Sequence, residues 1–295
     1  MRIAVLGMGR MGHEVAGRLV AGGHDVTVWN RSPHKADDLA GRGATDRSGS
    51  PAGEAVRGVE VVVTLLSDDA AVRAVVIEGG VAEAITVGGG PTTLVDMSTV
   101  SPRTSQALAE SVGPERFVAS PVLGAPSAVR SGRAVYLVAG PPERLAALGP
   151  MFVTLSARHL ELGDDPGRAL VVKLLANSLL LSGVVVLGEV VATAQAAGLD
   201  DGFLRELLGS SPILAPALRD RLDNMLSGQH DAWFTTALGA KDVRLAEELA
   251  AAYGLRLPVF DAVKRRYEEA VAEGWGGDDL TAVVELNRRA LGEPG

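Results

Sequence analysis

Lys173 stands as the single charge between Arg168 and Glu189 in the stretch "GRALVVKLLANSLLLSGVVVLGE", and Asn177 lies four residues beyond it. On a helix that spacing places an ammonium and a carboxamide one turn apart on one face. A lysine among apolar neighbours must be paired or have its pKa drawn down, because taking a charge out of water is costly. A lysine lowered from its ordinary value of about 10.4 toward neutrality can donate a proton to a carbonyl oxygen, or accept one in the reverse direction. The plainer alternative is a lysine that snorkels to the surface from a core helix. A membrane span needs about 20 predominantly apolar residues and penalises a central lysine. The uncharged run from Leu174 to Gly188 is shorter and holds Asn177, Ser178 and Ser182, so it reads as a helix buried in protein on most sides.

A second constellation opens the chain. In "IAVLGMGRMGHEVAGRLVAGGHDVTVWNRS", Gly7, Gly9 and Gly12 form a G-x-G-x-x-G directly after an apolar strand and at the start of a helix, with a second strand ending at Trp29. In a chain with 36 glycines such a string could be no more than a tight turn, but the strand–turn–helix context points to a dinucleotide. Gly7 makes the turn, Gly9 lets the backbone approach a pyrophosphate, and Gly12 allows close helix packing. The helix N-terminus then supplies N–H groups and positive dipole to the phosphates. An NAD site takes an acid at the end of the second strand, whereas this chain has Trp29-Asn30-Arg31-Ser32, followed by Lys35. Arg31, with Asn30 and Ser32 beside it, suits a 2′-phosphate, so NADP(H) is the expected cofactor. The alternative for Arg31 is a solvated loop arginine.

These residues need elements to hold them. The first half alternates short β-branched runs, "RIAVLG", "DVTVWN", "VEVVVTLL", "TLVDMS", "RFVAS" and "AVYLVAG", with helix-like segments. That pattern predicts parallel strands buried on both faces, an α/β doubly wound fold. From the turn-rich "ELGDDPGRA" onward the chain reads as helix, with Pro166 early in the long helix. The expected domains are therefore a dinucleotide-binding domain over 1–163 and an all-helical substrate and dimerisation domain over 164–295. The 295 residues suffice for two cores, and 47% hydrophobic with 22% charged residues is an ordinary globular composition. A net charge of −8 without a basic run argues against nucleic acid and anionic membrane surfaces as partners. The absence of cysteine removes thiolate chemistry and disulfides, and five scattered histidines offer no ligand spacing, so no metal is expected. With no apolar leader after Met1-Arg2, a cytoplasmic protein is expected. An apolar helix that a small helical domain cannot wrap predicts a homodimer or homotetramer.

The motifs "GMGRMG", "DMSTVSP", "ASPVLGAP", "GRALVVKLLAN" and "KDVRLA", in this order, resemble the β-hydroxyacid dehydrogenase family, and "GWGGDDLTA" resembles its C-terminal G-x-G-x-x-D-x-S signature with Thr281 for serine. The resemblance spans essentially the whole chain. It implies a 6-phosphogluconate-dehydrogenase-type cofactor domain and an NADPH-dependent oxidoreductase passing hydride between nicotinamide and a small aldehyde-acid or β-hydroxyacid. Lys173 matches the catalytic lysine, the general acid/base, and Asn177 the asparagine that orients it. Thr99 falls where the family meets the cofactor near the nicotinamide ribose, and Lys241 where a lysine closes over cofactor and substrate. Bland alternatives are Thr99 as the cap of a helix starting near Ser101 and Lys241-Asp242 as a surface pair. The expected cofactor contacts are Gly7, Met8, Gly9, Arg10, Met11, Gly12, Asn30, Arg31, Ser32, Lys35, Leu66, Ser67, Thr99 and Lys241. Those of the substrate are Ser98, Leu123, Gly124, Lys173 and Asn177. Leu123 stands where the family's loop has a serine that binds the substrate carboxylate, so the pocket is more apolar. Reduction of an imine is the alternative chemistry, and a cofactor-binding module without turnover is the alternative class. Retention of both Lys173 and Asn177 speaks against the latter.

Overall fold

The structure is a computed structural model that describes residues 1–87 and 90–290. It divides into two compact units, Met1–Lys173 and the chain from Leu174 onward. In the first unit, strands β1 (Arg2–Leu6), β2 (Asp25–Trp29), β3 (Thr45–Asp46), β4 (Val61–Thr64), β5 (Thr93–Asp96) and β6 (Phe117–Ala119) form one parallel sheet in the order β3-β2-β1-β4-β5-β6. Alternation along each strand feeds two separate cores. Ile3, Val5, Val26, Val28, Val61, Val63, Val95 and Val118 pack on one face, and Ala4, Leu6, Val62, Leu94, Phe117 and Ala119 on the other. Both faces are covered, which is why these strands read as unbroken apolar runs.

Two features depart from the expected sheet. The short β3 escapes the pattern because two residues carry no periodicity. "AVYLVAG" forms β8 (Val135–Val138) in a separate three-stranded sheet, antiparallel to β7 (Val122–Leu123) and parallel to β9 (His159–Glu161). The physical reason is the connection: Gly124 to Ala134, with only the helix Pro126–Arg130, is too short for a parallel crossover of a dozen or more residues.

A helix runs unbroken from Pro166 to Ala196, beginning at the proline whose missing N–H is harmless there. By length and composition it is long and apolar enough to cross a membrane. Half of that apolar window is buried in protein. Ala169 and Leu170 join the first unit's sheet cluster, and Leu181, Val184, Leu187 and Val191 join the core of the second unit. The second unit is helical over its described residues, with helices Asp201–Ser210, Thr236–Ala252, Pro258–Ala272 and Val283–Ala290 among its elements. The expected boundary at residue 164 falls just ahead of the long helix, whereas the compact units part within it.

The C-terminal motif explains how one of these helices is held. Asp279 is fully buried, and its Oδ2 accepts the backbone N–H groups of Trp233 and Phe234 at 3.1 and 3.3 Å. The Thr236 hydroxyl donates to the Asp278 and Asp279 carbonyls, and Thr235 caps the helix Thr236–Ala252. The motif thus anchors the N-terminus of the helix that carries Lys241.

Candidate functional site

The glycine turn divides its labour as its spacing predicts. Gly7 has φ +103°, and a Cβ there would lie 2.3 Å from the Leu65 carbonyl oxygen; a Cβ on Gly12 would lie 1.9 Å from that of Gly7. Neither position admits a side chain. Gly9 differs, with nothing within 4 Å of its Cβ position. Gly9 is also the N-cap of the first helix, Arg10–Ala21, and no side chain caps that end. The first-turn N–H groups of Arg10, Met11 and Gly12 therefore face outward beside an open glycine, which suits a pyrophosphate.

At the end of β2 the Asn30 carboxamide works as a brace. Its Oδ1 accepts the Met8 N–H at 3.1 Å and its Nδ2 donates to the Ser32 carbonyl at 3.0 Å, tying the glycine turn to the following loop. Arg31, Ser32 and Lys35 are exposed there, so cationic and hydroxyl groups stand free to meet a 2′-phosphate. No carboxylate belongs to this run from Trp29 to Lys35.

The ends of β4 and β5 are joined by polar contacts. The Thr64 hydroxyl donates to Asp96 Oδ1 at 2.7 Å, the Ser98 N–H donates to the same oxygen at 3.1 Å, and the Leu66 N–H donates to Ser98 Oγ at 3.0 Å. Leu66 and Ser98 are thereby held at the C-terminal edge of the sheet, where doubly wound folds bind ligands, and Thr99 follows Ser98 in the chain. Ser67 is exposed nearby and donates to Asp68. Thr99 is not the helix cap: Ser101 fills that role, its Oγ accepting the Thr104 N–H at 3.1 Å. Asp96 has no exposed surface, and burial pushes its carboxyl up to about 6, against the pull of the Ser98 and Thr64 hydrogen bonds.

Lys173 is buried, and its Nζ donates to the Val122 carbonyl at 2.7 Å. That carbonyl belongs to β7, the strand that ends in Leu123 and leads into Gly124 at φ +139°. The ammonium and the loop expected to bind substrate are therefore fastened together, which rules out the snorkelling alternative. Leu123 is half-buried against the sheet cluster that also takes Leu66 and Val172. In the second unit, Asn177 is buried and its Nδ2 donates to Asp242 Oδ2 at 2.6 Å, while Lys241 Nζ lies 3.0 Å from Asp242 Oδ1. Asp242 is buried, so the Lys241-Asp242 pair is interior and not a surface pair.

The structure thus groups Gly7 to Gly12 with Asn30, Leu66 with Ser98, and Lys173 with the Leu123–Gly124 loop in the first unit. In the second it groups Asn177 with Lys241 through Asp242. Sequence reasoning passed over Thr64 and Asp96, and gave Asp242 only as half of a surface pair. Their signal was an acid at the end of a buried strand in "TLVDMS" and an acid directly after a singled-out lysine in "KD". Among the described residues no group of three or more His, Asp or Glu side chains is arranged to hold a metal ion.

Comparisons with known proteins match family models to nearly the whole chain. Residues 2–163 match the model of the NAD-binding domain of 6-phosphogluconate dehydrogenase, and residues 167–287 that of the NAD-binding domain of NADP-dependent 3-hydroxyisobutyrate dehydrogenase. The chain is 31% identical to glyoxylate/succinic semialdehyde reductase 1 of Arabidopsis thaliana, over 97% of this chain and 98% of that protein. Its fold is that of 3-hydroxyisobutyrate dehydrogenase from Salmonella typhimurium, with a TM-score of 0.88 at 21% identity over 97% of this chain and 99% of the other. An imine reductase from Bacillus cereus shares the fold less closely, with a TM-score of 0.60 at 22% identity over 97% and 99% of the two chains. The cofactor indicated by the end of β2, NADP(H), is the one these models support. A glycine turn built for a dinucleotide, a buried lysine fastened to the strand that leads into the Leu123–Gly124 loop, and two family models that together take in nearly the whole length show the chain to be a member of the β-hydroxyacid dehydrogenase family, NAD(P)-dependent oxidoreductases acting on CH–OH groups.

Proposed function

We propose that this protein reduces a small aldehyde-acid with NADPH, Lys173 acting as the proton donor. The observation that carries this reading is the Lys173 bond to the Val122 carbonyl, which fixes a buried ammonium on the strand that leads into the Leu123–Gly124 loop. An ammonium carries three N–H donors, and one held on this strand can protonate a carbonyl oxygen as negative charge develops on it. Bound NADPH supplies the hydride. Asn177, held by Asp242, presents its amide one helical turn from Lys173 and orients the reacting group. Backbone N–H groups around Gly124 receive the substrate carboxylate in place of the serine hydroxyl that the family uses. Arg31 selects NADPH over NADH through the 2′-phosphate.

The test is oxidation of NADPH and of NADH by the purified protein with glyoxylate, succinic semialdehyde, methylmalonate semialdehyde, tartronate semialdehyde and a cyclic imine. Turnover of an aldehyde-acid with preference for NADPH supports the reading. Activity on the imine alone gives the imine-reductase reading, which Leu123 favours by making the pocket less polar. Silence on every compound, with NADPH still bound, leaves a binding module.

The working molecule in this reading is a homo-oligomer. Leu175, Leu179, Val186 and Val190 are exposed along the long helix at spacings of four, seven and four residues, which is one stripe of a helix surface. Leu199, Phe203 and Leu207 add exposed apolar surface at and beyond its C-terminal end. A second copy covering this stripe removes it from water.

A further inference from the structure

Among the described residues, Asp96 is a fully buried carboxyl at the ligand-binding edge of the parallel sheet that the proposed mechanism leaves without a task. It ends β5, and its register partner Thr64 ends β4. One carboxyl oxygen accepts from Thr64 Oγ1 and Ser98 N–H, while Oδ2 has no hydrogen-bond partner among the described residues. Through Ser98 Oγ the same contacts reach the Leu66 N–H, so the carboxyl sits inside the structure that holds both strand ends.

Position decides what this carboxyl meets. In a doubly wound sheet the dinucleotide crosses the C-terminal edge at the switch point, here between β1 and β4. The 2′-phosphate end belongs with Arg31 after β2, on one side of that point, so the nicotinamide end extends over β4 and β5 on the other. The oxidised ring is a cation and the reduced ring is neutral, while the remainder of the two cofactor forms is the same. A carboxylate screened from water at the end of β5 therefore distinguishes them, and a protonated carboxyl does not.

We infer that Asp96 is a proton-linked selector of cofactor oxidation state, favouring NADP⁺ over NADPH when ionised and losing that preference when protonated. The inference rests on the dinucleotide-binding reading of the first unit. Burial places the titration of Asp96 near neutrality instead of in the usual carboxylate range, and the charge of Asp69 pushes the same way. Asp69 begins the helix Asp69–Arg73, and its carboxylate accepts from the Ser101 N–H and hydroxyl. Linkage then requires NADP⁺ to lower the Asp96 pKa relative to NADPH, and each unit of that difference appears as a tenfold change in the ratio of the two affinities.

The test is the ratio Kd(NADP⁺)/Kd(NADPH), by calorimetry for the oxidised form and nicotinamide fluorescence for the reduced form, from about pH 5.5 to about pH 8. The ratio is used because the 2′-phosphate, whose second pKa is about 6, titrates in both forms and cancels. In the wild-type protein the ratio is expected to fall about five- to tenfold as pH rises through the Asp96 titration. Asp96→Asn is expected to hold the low-pH ratio throughout. Thr64→Val, which removes a donor that favours the ionised form but keeps the carboxyl, is expected to move the midpoint to higher pH. A wild-type ratio that does not vary with pH, or the same variation in Asp96→Asn, overturns the inference. If Asp96→Asn does not fold, an unmoved midpoint in Thr64→Val overturns it instead. Failure of both cofactors to bind at every pH overturns the dinucleotide reading itself.

Discussion

Replacing Lys173 by alanine removes both the proposed proton donor and its bond to the Val122 carbonyl. Turnover is expected to fall about 10²- to 10⁴-fold, the usual contribution of general acid–base catalysis, with the Kd for NADPH essentially unchanged. Equal losses in turnover and cofactor affinity would refute the assignment. Leu123→Ser restores the hydroxyl that the family's loop carries. It is expected to raise kcat/KM for an aldehyde-acid about tenfold, the order of one hydrogen bond to a charged group, at some loss of apolar packing. Asp96 gives a stability signature with a definite sign. Its folded pKa of about 6 exceeds the ordinary 3.8, so the folded protein binds the proton more tightly. Its contribution is full below 3.8 and is lost as pH rises through 6, amounting to about 3 kcal/mol as an upper bound. Urea unfolding of wild type and Asp96→Asn across that window should therefore show the variant gaining relative stability as pH rises.

Among the elements, the glycine turn separates folding from binding. Gly12→Ala must push a Cβ to within 1.9 Å of the Gly7 carbonyl oxygen, so a lowered Tm is expected. Gly9→Ala meets open space at φ −76°, so its Tm should hold while NADPH affinity drops, because the methyl stands where the pyrophosphate approaches. Unchanged affinity in Gly9→Ala would refute the phosphate assignment. This turn was legible in the sequence because its constraint is local: strand, turn and helix follow one another, and sterics name the residue at each step. The long helix was legible for a similar reason, its apolar run and early proline lying in one segment. Pairings across the chain were not. Nothing near "AVYLVAG" says that it joins a second sheet, since that depends on where the preceding strand has already gone. Nor does "KLLAN" announce that Lys173 fastens to Val122, 51 residues back, or that Asn177 meets Asp242, 65 residues ahead. Residue types with chemical potential could be picked out from their neighbours, but the acids that hold them in place, Asp96 and Asp242, acquire meaning only once distant segments are packed.

At the scale of the whole molecule, a glutamate at Leu179, the most exposed position of the helix stripe, is expected to shift the species seen in sedimentation velocity from oligomer to monomer. A wild-type chain that sediments as a monomer at all concentrations would refute the assembly proposed for it. The unbroken helix from Pro166 to Ala196 has a further consequence for how the chain comes apart. Its first turns belong to the core of one compact unit and its later turns to the core of the other, so neither unit possesses a complete set of its own core side chains without that helix. Loss of one core frays a rod that the other also uses, and the melting of the two should be coupled. Scanning calorimetry is therefore expected to record one cooperative transition, with calorimetric and van't Hoff enthalpies in agreement. A proline at Ala176, close to the division between the units, would interrupt the rod and resolve the single peak into two.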